Sequence, residues 1–388
     1  MYRTIIMKYP LYIIVILISL GLQAQTALYN SGNIRIHDEG QMGFHTNLIN
    51  DASFDQNVGL AGFYGTTSIN VSGAFMPIFY DIEIFNDNGV FLNSSLALTN
   101  DANFVGGDVI TPRNLENIYL NFIQNGDYFS ISDATKVDGY AAITNKQFFS
   151  FPVGNLEKLR PLILNSNAVN TLAKCAYFFE DPNNPSTFGT SFNTTRKTRD
   201  VNIVSTTEFW HLAGNVPSTI TISWDQDSNM SALTDAAYKI GITGWSKVGN
   251  QWVDLGSVAQ GGDLSNGFVS SDVFVPDDYG AITFASLAIV TEIVNLDNYY
   301  LTPNNDGRND ALIIPELEQS PNNQLQIFDR FGLKVFDKAN YTNEFRGFPN
   351  VGNVVVGEKN GLPAGVYFYL ATLNDLGTEY QGFLYLRR

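Results

Sequence analysis

The sequence predicts an all-β protein, and three observations carry the prediction. Hydrophobic residues make up 44% of the 388-residue chain and aromatics 13%, enough side chain to build packed cores. Only 15% of residues are charged, and Asn, Gly, Ser, Thr, Tyr and Phe fill the difference, a mixture that favours short strands joined by polar turns. Short apolar segments alternate with turn signals, and no long stretch of 3.6-residue amphipathic period is found.

Residues 1–24 read as a secretory signal peptide. Arg3 and Lys8 precede an apolar run at 11–22 that is short for a bilayer span, and Ala24 supplies the small residue of a cleavage site. No basic stop-transfer cluster follows, and no Cys stands ready for lipidation. The net charge is −16, from 22 basic and 38 acidic side chains. Nucleic acid and anionic lipid need cationic footprints, so the acidic balance argues against both as partners. Cys175 is the one cysteine, which excludes intramolecular disulfides and Cys-cluster zinc sites. Its neighbours Ala173, Ala176, Tyr177 and Phe178 make it a buried small hydrophobe.

Residues 25–155 form a β-rich region. Segments 34–36, 81–85, 96–98 and 118–122 read as strands, separated by turn signals such as Asn86-Asp87-Asn88-Gly89 and Asn125-Gly126-Asp127. A spacing of roughly 8–15 residues suits a sandwich or a short right-handed β-solenoid, and the absence of a fixed-length repeat weighs against the solenoid. Pro152-Val153-Gly154 breaks the strand before it, which places a domain boundary near 155.

Residues 156–292 are expected to form an antiparallel β-sandwich. Segment 220–224 alternates, 225–229 turns, and 230–238 reads as a short helix or a strand approach. Segments 239–245 and 251–255 flank Val248-Gly249-Asn250 as a hairpin, and 273–275 and 281–285 add two strands. Trp210, Trp224, Trp245 and Trp252 all fall here. Indoles of this kind fill a sandwich core; the competing use is an aromatic platform that stacks on sugar rings. A short connector at 291–296 leads to residues 297–388, where 311–314, 324–328, 333–336, 353–356, 366–371 and 382–386 make about six strands. Asn374-Asp375-Leu376-Gly377 is a hairpin loop, and an immunoglobulin-like sandwich is the natural closure.

No catalytic constellation stands out. The histidines are His37, His45 and His211, and none sits in a zinc-protease, nucleophile-elbow or deaminase motif. Glu208 near Trp210, and Glu180-Asp181, are the acids a glycosidase reading would have to use, but acids are frequent in this chain. The reading is therefore non-enzymatic, with a secreted hydrolase as the weakest alternative and no cofactor. The oxygen-rich run Asn304-Asn305-Asp306-Gly307-Arg308-Asn309-Asp310 could hold calcium through Asp306 and Asp310. In EF-hand register Thr302 and Ile313 would be ligands, which is wrong, so Asx-turns with Gly307 at positive φ are the better account.

Five anchors in order give the last quarter of the chain a family likeness. They are Thr302-Pro303-Asn304-Asn305-Asp306-Gly307-Arg308-Asn309-Asp310, then Asp329-Arg330-Phe331-Gly332, Phe345-Arg346-Gly347, Leu362-Pro363-Ala364-Gly365 and the closing Arg387-Arg388. Together they resemble the type B C-terminal sorting domain of the type IX secretion system, also called the gliding-motility-associated C-terminal domain of Bacteroidota. One departure is Phe345, where the family commonly has Trp. Phrases upstream, including Gly62-Phe63-Tyr64 and Lys136-Val137-Asp138-Gly139-Tyr140, are similar to those of secreted proteins that carry such tails. The resemblance implies Sec export and passage through the type IX translocon to the outer-membrane surface. It also implies a PorP/SprF-like barrel as partner, and an adhesive or gliding-accessory role. The sorting residues it implies are Pro303, Asn304, Asp306, Gly307, Asn309, Asp310, Arg330, Gly332, Gly347, Gly365, Arg387 and Arg388. A carbohydrate-binding module is the alternative, resting on the tryptophans.

Overall fold

From Thr26 the chain winds in successive coils, each laying short strands on three parallel sheets. The computed structural model describes residues 26–388 except 157, 288–293, 296–297, 316, 318–319, 321, 352–360 and 374–377. The expected signal peptide, most of the 291–296 connector, the 353–356 strand and the 374–377 hairpin loop lie outside the described residues.

One sheet runs in parallel from Ala27–Asn30 to Val153–Asn155, and a second contains Gln41–Phe44, Leu60–Gly65, Asp81–Asn86, Asp101–Gly106 and Asp127–Phe129. The third begins with Ile78–Phe79, Leu96–Leu98, Leu120–Ile123 and Ala141–Thr144. Residues stack on their equivalents one coil away: Leu48 on Val71, Phe63 on Ile84, Phe122 on Ile143. Of the two expectations for residues 25–155, the solenoid describes the molecule. Its repeat is hidden because the corners vary in length. Gln41 pairs with Leu60, 19 residues on, whereas Val109 pairs with Val137, 28 residues on.

Inward positions pack a single apolar column in which Phe44 and Phe63 stack at 5.0 Å and Phe54 meets Phe79 edge-on at 5.0 Å. The corners are tied by asparagines. Asn30 Nδ2 donates to Asn50 Oδ1 at 2.7 Å, Asn70 stacks on Asn47, and Asn93 stacks on Asn70. Such ladders satisfy buried backbone and side-chain groups coil by coil. Asn57 shows why the expected strand at 34–36 is absent. Its Oδ1 accepts the Ile36 N–H at 2.7 Å, taking the bond a neighbouring strand would have made, while its Nδ2 donates to the carbonyls of Phe54 and Ile78. Replacing Asn57 with Ala should orphan these groups and destabilise the chain by about 2 kcal/mol, read as a lower urea midpoint at unchanged slope. A neutral result would mean that the corner re-pairs on its own.

The third sheet does not stop at the end of the solenoid. Ala141–Thr144 pairs antiparallel with Ala173–Phe178, and the sheet continues through Phe209–Ala213, Tyr279–Leu287, Ile240–Ser246 and Gln251–Asp254. A five-stranded sheet of Lys146–Phe151, Leu162–Asn170, Ser218–Trp224, Gly267–Ser270 and Ala259–Gly262 faces it. One core runs from Ile36 to Phe284, so sheet and core pass through position 155 without a break. Arg113 reinforces the join: it pairs with Asp138, donates to the carbonyls of Tyr177 and Gly154, and lies over the Phe178 ring at 5.3 Å.

The hairpin at Val248-Gly249-Asn250 forms with Trp245 opposite Trp252 and Asn250 at φ 49°. Residues 230–238 contain a 3₁₀ turn, Met230–Ala232, and a second spans Ala237–Lys239. The strand expected at 273–275 reduces to one bridge between Phe274 and Ser218, because Pro276 starts a 3₁₀ turn immediately after it. Cys175 is wholly buried, and burial pushes its thiol well above the ordinary range.

The tail's described strands form one sheet, with Val294–Asn295 and Tyr299–Leu301 beside Thr378–Leu386, followed by Gly365–Leu373, Asn323–Phe328 and Lys334–Ala339. Segment 311–314 is not a strand. Leu312 and Ile314 plug the sheet's core face, and the Leu312 N–H donates to the Phe345 carbonyl at 3.0 Å. The opposite face docks on the sandwich through Phe268, whose ring meets Phe328 at 4.6 Å and Phe368 at 5.6 Å.

Candidate functional site

The first anchor loop is held by one carboxylate. Asp310 accepts backbone N–H groups from Asn304 (3.0 Å) and Asn305 (2.7 Å) on Oδ1, and from Gly307 (2.8 Å) on Oδ2. Asp306 accepts from Asn304 Nδ2 and Arg308 N–H, donors that hold its carboxyl below the usual range. Asn305, Gly307 and Asn309 take φ of 63°, 81° and 53°. The Asp and Asn pattern therefore closes Asx-turns, and the carboxylate oxygens already face N–H groups. Among the described residues no three His, Cys, Asp or Glu side chains are grouped to hold a metal. Pro303 leads into this loop, whose base is tied by the Thr302 N–H to the Asn309 carbonyl at 2.8 Å.

The second anchor is a tight turn aimed at the rest of the protein. Asp329 Oδ1 accepts the N–H groups of Phe331 (2.8 Å) and Leu333 (2.9 Å), and burial nonetheless pushes its carboxyl up to about 6. Gly332 has φ 84°, and a Cβ there would lie 2.4 Å from Thr221 Cγ2 and 2.9 Å from Phe268 Cβ. Asp329, Phe331, Pro363 and Tyr367 line two neighbouring clefts of 660 and 490 Å³. The sandwich's Asp263 closes the first and the solenoid's Tyr128 the second. Arg330 lies over the Phe331 ring, and Gly365 opens the strand that follows.

Phe345, the aromatic of the third anchor, is buried against Phe336 at 4.9 Å. Gly347 adopts φ 77°, and its carbonyl accepts from Arg388 Nη2 at 2.8 Å. Arg388 also covers the Phe348 ring at 4.8 Å, so of the two terminal arginines this one is folded back. Arg387 stays exposed beside the Tyr300 hydroxyl. The structure thus gathers Arg330 and Gly365 along the first cleft, sets Gly332 against Thr221 and Phe268 of the sandwich, and joins Gly347 to Arg388. The Pro303–Asp310 loop stands apart from the cleft groups.

The residues weighed for catalysis sit in different surroundings. Glu208 is fully buried, with Tyr177 Oη at 2.6 Å and Arg160 Nε at 3.4 Å. Arg160 also pairs with Asp225. Burial works against the Arg160 charge, but Glu208, Tyr177 and Asp225 outweigh it and raise its pKa. Glu180 and Asp181 instead order their own loop, Asp181 through Asn183 and Glu180 through Thr187. His37 and His45 are exposed. His211 is buried with Nδ1 2.9 Å from Tyr140 Oη, and burial lowers its pKa to about 4 despite Glu116 at 3.9 Å.

That shift has a sign. A base whose folded pKa is depressed costs nothing above about pH 6.5, and it destabilises as pH falls from there to about 4, by up to about 3 kcal/mol. His211→Asn should remove this loss from urea titrations across that window; an unchanged loss would contradict the assignment. Sequence reasoning missed the Arg160–Glu208–Tyr177 cluster, because its members are 48 and 31 residues apart and only the sheets unite them. All four tryptophans are buried, Trp245 the most exposed at 8%, so the sugar platform they would have made is closed.

Comparison with known proteins agrees with the geometry of the tail. Residues 294–386 match the CHU_C type IX secretion signal domain. No curated protein and no solved structure matches the chain. The signal domain supports export by the type IX system and implies interaction with its machinery, and a surface or extracellular destination. No helix among the described residues is long and apolar enough to cross a membrane.

Proposed function

We propose that this chain is a non-catalytic cell-surface protein, carried across the inner membrane by its leader and across the outer membrane by the type IX system. At the surface it acts in adhesion or as an accessory of the gliding and secretion machinery, docked on a PorP/SprF-like barrel. The observation that carries the reading is the 294–386 match, with its 304–310 and 329–333 turns closed by Asp310 and Asp329. A rigid solenoid capped by a sandwich suits a presenting scaffold, since its coils offer long flat faces. The candidate catalytic acid Glu208 sits inside the core, which supports a structural role for it.

A chain ending at residue 293 should accumulate in the periplasm, while the full chain is digested by protease added to intact cells. Surface delivery of the truncated chain would overturn the export reading. Purification of the full chain from outer membranes separates the two roles: recovery of a barrel favours the accessory role, and recovery alone favours adhesion.

A further inference from the structure

We propose that the outward face of the second solenoid sheet is a binding strip for a neutral, hydroxyl-rich glycan. This names the ligand of the adhesive role and rests on that reading. Parallel pairing puts Gly43, Gly62, Glu83, Asn103 and Phe129 side by side in one row, each on a successive coil. The two glycines make a floor. A Cβ at Gly62 would lie 2.1 Å from the Tyr64 ring, so only glycine there lets the ring lie against the sheet, and one at Gly43 would make a tight 3.3 Å contact with the same ring. The ring's hydroxyl donates to Glu83 Oε1 at 3.0 Å, and Asn103 Nδ2 donates to Glu83 Oε2 at 2.9 Å. Glu83 thereby fixes a phenol and an amide in one orientation before any ligand arrives, the arrangement that lowers the entropic cost of binding. The exposed His45 ring stands 5.7 Å from Tyr64 and extends the aromatic end.

Beside this row the strip deepens into a 460 Å³ depression lined by Asp81, Glu83, Asp101, Asn103 and Phe129, with no Lys or Arg in its lining. Asp81 accepts from Asn100 Nδ2 at 2.7 Å and from the Asp101 N–H at 3.1 Å. An ionised carboxylate only accepts, so the surface asks for a ligand rich in donors. Sugar hydroxyls are such donors, and an aromatic ring laid flat takes the apolar face of a pyranose. The acidic lining repels polyanions.

The test uses the purified full chain in affinity electrophoresis against mannan and laminarin as neutral glycans, alginate as a polyanion and polylysine as a polycation, with and without EDTA. Retardation by a neutral glycan that survives EDTA is the expected result. Tyr64→Ala and Asn103→Ala should each weaken it at least about tenfold, and Tyr64→Phe, which keeps the ring but loses Glu83, by less. Tyr300→Ala, an exposed tail aromatic, should leave it unchanged. Melting curves identify variants that keep the native fold. The proposal is overturned if neither neutral glycan binds, if only alginate or polylysine binds, if EDTA abolishes binding, or if folded Tyr64→Ala and Asn103→Ala keep full affinity. Because binding is measured on purified protein, its failure leaves the export reading standing. Surface delivery of the chain ending at 293 would sink export alone.

Discussion

Arg160→Met should destabilise the protein by about 3–5 kcal/mol, the largest single-residue effect expected in this chain. The substitution leaves the Glu208 carboxyl, which has no exposure to solvent, without its cation and facing only the Tyr177 hydroxyl inside the sandwich. It also takes from Asp225 the Arg160 charge that holds its carboxyl below the usual range against the opposing effect of burial, leaving Lys158 as its ion-pair partner. The double variant Arg160→Met/Glu208→Leu should recover most of the loss, because an apolar pair of similar volume asks for no solvation. Urea titrations of the two variants check this. A double variant as unstable as the single one would show that the arginine acts by packing rather than by pairing.

Gly332→Ala should cost about 3 kcal/mol and loosen the tail from the sandwich, whereas Gly307→Ala should cost about 1 kcal/mol and leave the tail in place. Both glycines hold φ near 80°, so the left-handed backbone penalty is common to both. They differ in what a methyl group would meet. No heavy atom lies within 4 Å at Gly307, but Thr221 and Phe268 of the sandwich stand within 3 Å at Gly332. Limited proteolysis between sandwich and tail reads the docking directly. Equal protease sensitivity in the two variants would sink the claim that Gly332 seats the signal domain. The comparison matters for export, since the Asp329–Gly332 turn of the secretion signal faces the rest of the chain.

Local chemistry was legible where it acts over a few residues. The Asn and Asp of the 302–310 loop announce Asx-turns, and the structure closes them on Asp310. The hairpin at 248–250 and the buried Cys175 were legible for the same reason, a short window holding its own turn or its own apolar context. The strands expected at 34–36 and 311–314 failed because apolar residues mark burial, not pairing. Ile36 and Leu312 are buried, yet their N–H groups go to Asn57 and Phe345 instead of a ladder.

By itself the sequence determined an all-β chain, the turns of its secretion signal and the residues that would line a core. Those follow from side-chain shape, backbone φ preference and hydrophobicity, which each residue carries with it. Only the tertiary structure decided that the chain from residue 26 to 144 coils as a solenoid, since the stacking partner of Gly62 is Glu83 on the next coil and corners of varied length hide that relation. It also decided that the four indoles are core and that the ring resting over Gly62 is Tyr64. Exposure is a property of the surroundings, and the surroundings of Trp252 and Tyr64 are assembled from strands far away in the chain.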